Sequence, residues 1–299
     1  MMSLYEEGRW QLDDPVTAFV PELADMQVLQ DGRLVPPDRP MTMRHLMASC
    51  AGFAFLVPLG STNPAVDQMY LAADLFSGTN EEMIAKLATL PLETQPGTHF
   101  RYGFQQEVQG VILQRLTGEP LDTVLERRIF TPLGMTDTGF VAAPGRSTAF
   151  YKKTAGGLVL ADPPDGQWRT MPALPLGNGG LAGTAGDWVA FGRMLLAGGA
   201  GVLTPEAVRL MTTDHTTAAH REIGALFLEG QGWGMGGAVD IAVTEPWHVP
   251  GRYGWVGGTG TTAHVVPATG TVAVLLTQVG EDNPVPPRWM RDFWHAAAA

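Results

Sequence analysis

Thr262-Ala-His-Val-Val-Pro-Ala-Thr-Gly-Thr-Val-Ala-Val-Leu-Leu-Thr-Gln278 is a pair of β-branched runs joined by a turn sequence. Thr262 to Val266 and Thr271 to Gln278 read as the two strands of a hairpin, with Pro267-Ala-Thr-Gly270 as the reversal. Thr271 to Val279 is the longest apolar stretch in the chain, about half of what a membrane helix needs, so it reads as a buried strand. Trp233 to Ile241 alternates weakly and suggests another strand. Pro287 to Ala298 carries Trp289, Met290, Phe293 and Trp294 on one helical face, which should pack on the sheet.

Moving outward from this strand-rich end, the middle of the chain reads as helical. Thr42 can cap Met43 to Ala48, and Asn80 with Glu81 and Glu82 opens a helix to about Leu90. Glu107 to Leu116 stops at Gly118, and Leu121 to Phe130 follows. Thr184 with Asp187 opens a helix from Asp187 to Ala197, and Thr204-Pro205 sets a threonine cap before a proline at the first helical position. Glycine and proline clusters near 155–165 and 175–186 read as surface connections, with no repeat or linker between domains. At the front, Met1, Leu4 and Tyr5 lie three and four apart before Gly8, like the last turns of a helix; Ser3 and Glu6, at capping-box spacing, offer a short helix starting there instead.

A chain of 299 residues that is 45% apolar can bury one large core or two modest ones. Its net charge of −11 argues against nucleic acid or an anionic membrane as the main partner, because both require clustered Lys and Arg. The single cysteine, Cys50, excludes an internal disulfide and reads as a small buried filler. His215 and His220 lack metal-ligand spacing, and neither a His-Glu-x-x-His run nor a cysteine pair occurs, so no metal and no cofactor are expected. No signal peptide is seen, which slightly favours a cytoplasmic location. Oligomeric state is not readable from the sequence.

Six stretches in order resemble the serine β-lactamase and penicillin-binding-protein superfamily, in particular its class C-like, family VIII carboxylesterase branch. They are Gly8 to Val16, Arg44 to Gly52, Pro96-Gly-Thr-His-Phe-Arg-Tyr-Gly-Phe104, Pro132 to Phe140, Gly179 to Asp187, and Tyr253-Gly-Trp-Val-Gly-Gly-Thr-Gly260. The resemblance implies an α+β (α/β sandwich) fold, an antiparallel sheet flanked by helices, as one domain over residues 1–299. The helical region would run from about 16 to 180 and the sheet region from about 181 to 299. It implies a serine hydrolase that cleaves small-molecule esters or amides through an acyl-enzyme. The alternatives are a β-lactamase or D-alanyl peptide hydrolase and, in another class, a non-catalytic ligand-binding member.

Members of that superfamily carry Ser-x-x-Lys at the start of the helix whose tail resembles Met1 to Glu7 here. The residues three beyond Ser3, Ser49, Ser61, Ser77 and Ser147 are Glu6, Gly52, Pro64, Asn80 and Phe150, so no such pair lies in these 299 residues. Counting back from Gly8, the serine is expected about ten residues before Met1, with the sheet incomplete on that side. Lys152-Lys-Thr-Ala-Gly156 reads as a solvated turn.

By the same resemblance Tyr102 is the catalytic tyrosine, a general base toward the serine. A phenol that ionises near pH 10 needs a cationic neighbour for that task. The plain alternative is a tyrosine tucked under a loop. Phe104, two residues on, stands where lactamases usually place an amide donor, so it would shape an acyl pocket and favour esters. Trp255, Val256 and Gly257 stand where lactamases have Lys-Thr-Gly and esterase-like members Trp-Gly-Gly, as substrate-binding residues, with Val256 crowding the pocket; core packing is the alternative for the tryptophan. Gly258 would give one N–H to an oxyanion hole. Ala48-Ser-Cys-Ala-Gly52 replaces a Thr-His-Thr-Ser-Gly run, and Ser49 has neither a Gly-x-Ser-x-Gly context nor a paired base.

Overall fold

Three threonine side chains do at helix starts what the sequence suggests. In the computed structural model, which describes residues 1–54, 63–222, 228, 230–281 and 285–298, Thr42 accepts from the N–H of His45, Thr184 from Asp187 and Thr204 from Ala207. Each oxygen satisfies a donor that has no carbonyl partner within its own helix. A fourth start differs by one residue. Thr79, not Asn80, is the cap, and Glu82 closes a capping box by accepting from the Thr79 N–H at 2.7 Å.

The chain folds as two compact units, each made of three segments. The first contains Met1–Val124, Ala173–Gly179 and His215–Gly236. Its helices are α1 (Met2–Glu6), α2 (Met43–Met47), α3 (Pro64–Ala72), α4 (Asn80–Leu87), α5 (Gln105–Thr117) and α10 (Ala218–Arg221), with a hairpin β1 (Val28–Gln30) and β2 (Arg33–Val35) and a strand β5 (Gln231–Trp233). On α5, Val108, Val111 and Ile112 lie three and four apart, are almost wholly buried, and form the face that packs on α2 and α4. Gly118 ends α5 in the left-handed region, φ +71°. Helix α1 begins at Met2, so Ser3 lies within it rather than capping it. Five residues cannot hold a helix alone. The indole N–H of Trp10 donates to the Met1 carbonyl at 3.1 Å, and the Trp10 ring packs on Tyr5 at 5.1 Å.

The second unit contains Leu125–Pro172, Gly180–Asp214 and Gly237–Ala299. Strands β6 (Ala238–Asp240), β7 (Tyr253–Gly257), β8 (Thr261–Val266) and β9 (Thr271–Leu276) pair antiparallel in that order. The hairpin read from the sequence is β8 and β9, with Val265 opposite Val272. Helices α8 (Ala185–Leu196) and α11 (Arg288–Ala298) cover opposite faces, and α9 (Pro205–Thr212) belongs to the same unit. A Cβ on Gly192 of α8 would lie 2.5 Å from Val272, whereas Trp294 of α11 donates to the Thr262 hydroxyl and stands edge-on to His264 at 5.0 Å. Val272 shares a face with its partner Val265, and the consecutive residues His264 and Val265 point to opposite sides of the sheet. The closing helix packs on the sheet through Met290 and Trp294, but Trp289 is 40% exposed and leaves the expected face.

Three segments depart from the sequence reading. Trp233 to Ile241 is two strands, β5 and β6; every residue in them is buried, which is why alternation is weak there. Leu121 to Phe130 is not one helix: α6 (Leu121–Leu125) passes into a π-helical turn, Glu126–Phe130, and then into α7 (Thr131–Leu133), which stops at Gly134. Lys152 and Lys153 stand on a strand, not a turn. β3 (Phe150–Thr154) and β4 (Gly157–Asp162) form an exposed hairpin, and Lys153 pairs with Glu281 at 3.3 Å. Because most of its residues face solvent on both sides, this hairpin has no apolar period to read.

A buried cation closes the second unit. Arg252, 1% exposed, lies over the rings of both Trp247 and Trp294 at 5.0 and 4.8 Å and makes a two-nitrogen contact with buried Asp240. The aromatic faces and the carboxylate replace the hydration that the guanidinium loses. Among the described residues no helix is long and apolar enough to cross a membrane.

Candidate active site

The Pro96–Phe104 segment has no strand or helix to hold it until α5 begins at Gln105. Its backbone is pinned residue by residue in the first unit. The N–H of Gly97 donates to Cys50, that of Phe100 to His220 and that of Arg101 to Ser49. Gly103 must be glycine, since a Cβ there would stand 2.5 Å from the carbonyl oxygens of both Phe53 and Ala54. Tyr102 is half-buried, with its ring edge-on to Trp233 at 6.0 Å, and Trp233 in turn packs on Phe100 at 5.2 Å.

Phe104 is 2% exposed. Tyr70 and Phe76 pack against its ring at 5.9 and 5.4 Å, so it forms the floor of the aromatic cluster beside Tyr102 and offers almost no surface of its own. Of these three rings, Phe76 is the solvent-facing one, 44% exposed.

Two imidazoles flank Gly97. His45 accepts the Thr42 N–H through Nδ1, and its Nε2 lies where a Cβ on Gly97 would approach to 2.5 Å. His220 accepts the Thr217 N–H through Nδ1 and meets the Gly97 carbonyl through Nε2 at 3.2 Å. The hydrogen bonds set the tautomer: Nε2 carries the proton on His220. Burial, then the charges of Arg39 and Arg44, hold the His45 imidazole below its usual pKa. Among the described residues no group of three or more His, Cys, Asp or Glu side chains could hold a metal.

Neither Ser49 nor Ser77 is set up as a nucleophile. Ser49 is fully buried at φ +54°, and its hydroxyl accepts from the Gln106 amide at 3.4 Å. The Ser77 hydroxyl does meet a lysine, Lys86 Nζ, at 2.7 Å, but that ammonium also donates to the carbonyls of Asp74 and Ser77. With three acceptors around its three protons it acts as a clamp on the loop, not as a base. Ser61 lies outside the described residues.

In the second unit, Trp255 and Val256 take opposite faces of β7. Trp255 is half-buried opposite Ala263, and its carbonyl accepts from the Thr262 hydroxyl. Val256 packs against Trp247, Met290 and Trp294, in the core beneath α11. It therefore stands on the face of β7 opposite to Trp255. Gly257 ends β7 opposite Thr261, and Gly258 is exposed in the turn that follows, its carbonyl accepting from the Glu281 N–H at 2.9 Å.

Sequence reasoning missed the charged residues around the tyrosine. Arg101 is 3% exposed; its guanidinium contacts Glu93 at 2.5 Å and lies 4.0 Å from Asp67, and its carbonyl accepts from the Gln105 amide at 2.7 Å. Glu107 is 2% exposed, and neither carboxyl oxygen has a hydrogen-bond partner among the described residues; burial pushes its pKa up to about 8. A charged residue in a loop or at a helix start gives no inward signal in sequence.

A half-buried tyrosine on a pinned loop in one unit, and a glycine-ended strand in an antiparallel sheet with helices on both faces in the other, define a β-lactamase/transpeptidase-like α+β protein. The chain belongs to the beta-lactamase family, whose description matches residues 1–295. Protein Rv1367c of Mycobacterium tuberculosis is 34% identical to it over 297 residues, covering 93% of this chain and 73% of that protein. Esterase EstB of Burkholderia gladioli is 28% identical, covering 95% of this chain and 74% of its own length. Among solved structures, EstCE1, a hydrolase with promiscuous acyltransferase activity, superimposes with a TM-score of 0.81 at 25% identity, covering 100% of this chain and 81% of that one.

Proposed function

We propose that this chain carries the proton-handling tyrosine and the substrate walls of a serine hydrolase that cleaves small carboxylic esters. The observation that carries the reading is the aromatic setting of Tyr102. The residue two positions on, Phe104, has no amide to hold a lactam side chain and is packed under Tyr70 and Phe76. Phe76, the exposed ring of that cluster, is the apolar surface that suits an acyl or alcohol group. In this reading the Tyr102 hydroxyl relays the proton between an attacking hydroxyl and the leaving alcohol. Trp255 and Gly257 line the substrate strand. Esterase relatives such as EstB support the ester class.

An acyl-enzyme route needs an activated hydroxyl, and Ser-x-x-Lys is not among residues 1–299. The reading therefore takes an attacking hydroxyl supplied from outside residues 1–299. The reading is tested by translating the DNA upstream of Met1 and assaying p-nitrophenyl butyrate and nitrocefin side by side. The polypeptide that carries an in-frame Ser-x-x-Lys is expected to hydrolyse the ester, to leave nitrocefin nearly untouched and to lose about 10²–10⁴ in kcat on Tyr102→Phe. The 299 residues alone should show negligible turnover. Faster hydrolysis of nitrocefin, or an upstream stop codon and promoter, would overturn the reading; the latter favours a ligand-binding member of the family.

A further inference from the structure

Arg101 is a charged side chain pointing into the core from a segment without regular structure, one residue before Tyr102. Its guanidinium is enclosed with two carboxylates. Nε donates to Glu93 at 2.6 Å, a terminal nitrogen contacts the same carboxylate at 2.5 Å, and Asp67 lies 4.0 Å away, all three side chains at most 3% exposed. So costly an arrangement is unnecessary for packing alone, because apolar side chains of similar volume fill such a site at least as well. What it provides is direction. A planar fork bound at two nitrogens fixes both the depth and the rotation of its own backbone.

That backbone is where Tyr102 departs. The Arg101 N–H donates to Ser49 at 2.8 Å and its carbonyl accepts from Gln105 at 2.7 Å, so both polar groups of the peptide are fixed as well. On the far side of Tyr102, Gly103 is pressed against the Phe53 and Ala54 carbonyls. The phenol ring is thus held on a short rigid stem, edge-on to Trp233.

We propose that Arg101, gripped by Glu93 and Asp67, is a positioning residue for Tyr102: the buried ion cluster sets where the phenol hydroxyl stands. The proposal rests on the reading of Tyr102 as the proton-transfer group, but the position of its ring can be measured without turnover. The chain, labelled with 3-fluorotyrosine, gives fluorine resonances from its five tyrosines, and Tyr102 is assigned by its loss in Tyr102→Phe. Arg101→Lys keeps the charge and loses the fork, Glu93→Gln keeps the shape and loses the charge, and Glu93→Asp keeps the carboxylate. The first two are expected to shift the Tyr102 resonance and leave those of Tyr5, Tyr151 and Tyr253 in place, Tyr70 being set aside because it feels the Glu93 charge, with Glu93→Asp returning toward the parent spectrum. In the ester-hydrolysing polypeptide the same two variants should lower kcat at least tenfold at unchanged KM. If Arg101→Lys fails to fold, Glu93→Gln decides alone. A Tyr102 resonance unmoved in the folded variants overturns the proposal whatever the activity. A resonance that moves while Tyr102→Phe leaves ester turnover intact sustains the positioning and overturns the functional reading instead.

Discussion

Glu107 offers the sharpest test of the folded core, because its position makes an unusual demand on pH. It lies on α5 with both oxygens buried and without partners among the described residues, and burial raises its pKa from 4.5 to about 8. The folded protein therefore holds a proton at neutral pH that the unfolded chain releases. Fewer protons bound in the unfolded state means that stability falls as pH rises from about 4.5 to about 8. At pH 7 the gap of about 2.5 pH units from 4.5, at about 1.4 kcal/mol each, amounts to about 3 kcal/mol. Glu107→Gln removes the ionisation and keeps the shape, so it should stabilise the protein by about 3 kcal/mol at pH 7 and by less than about 1 kcal/mol at pH 5. Urea unfolding of both proteins from pH 5 to 8 reads the difference directly. A constant difference across that range, or a variant less stable at pH 8 than its parent, would refute the reasoning.

Arg252→Met leaves Asp240 buried without its guanidinium and should cost about 3–5 kcal/mol in chemical denaturation, much of it recovered in the double variant Asp240→Leu/Arg252→Met. Gly103→Ala drives a methyl group into the Phe53 and Ala54 carbonyls. About 1–3 kcal/mol of stability should be lost, together with the Tyr102 to Trp233 contact, visible as a change in tryptophan fluorescence. Val256→Thr puts a hydroxyl into the core beneath α11; a loss of about 1–2 kcal/mol with KM for esters unchanged is expected, and a changed KM would return Val256 to the pocket.

What could be read in advance was local or periodic. Thr42, Thr184 and Thr204 cap helices because a hydroxyl next to a helix start acts within three residues. Thr79 was displaced by Asn80, an equally good cap one residue later, and only Glu82 three residues beyond Thr79 separates them. β8 and β9 were legible from their β-branched runs and turn, while β3 and β4 were not, since neither face of that hairpin is consistently apolar. The order of the motifs carried the family. Arg101, Glu107 and Arg252 were invisible: no periodic pattern marks their burial, and composition assigns such residues to the surface.

The imidazoles beside Gly97 have one more consequence. Capping boxes normally end in a carboxylate or amide, but those at Thr42 and Thr217 are closed by His45 and His220, whose Nδ1 lone pairs hold the backbone donors. Protonation occupies that lone pair. The depressed His45 pKa means that the folded protein binds fewer protons than the unfolded chain, so this share of stability is complete above about pH 6.5 and fades as acid is added. Acidification thus works like a key turned in a lock, loosening the start of α2 and, beside Gly97, the loop that presents Tyr102.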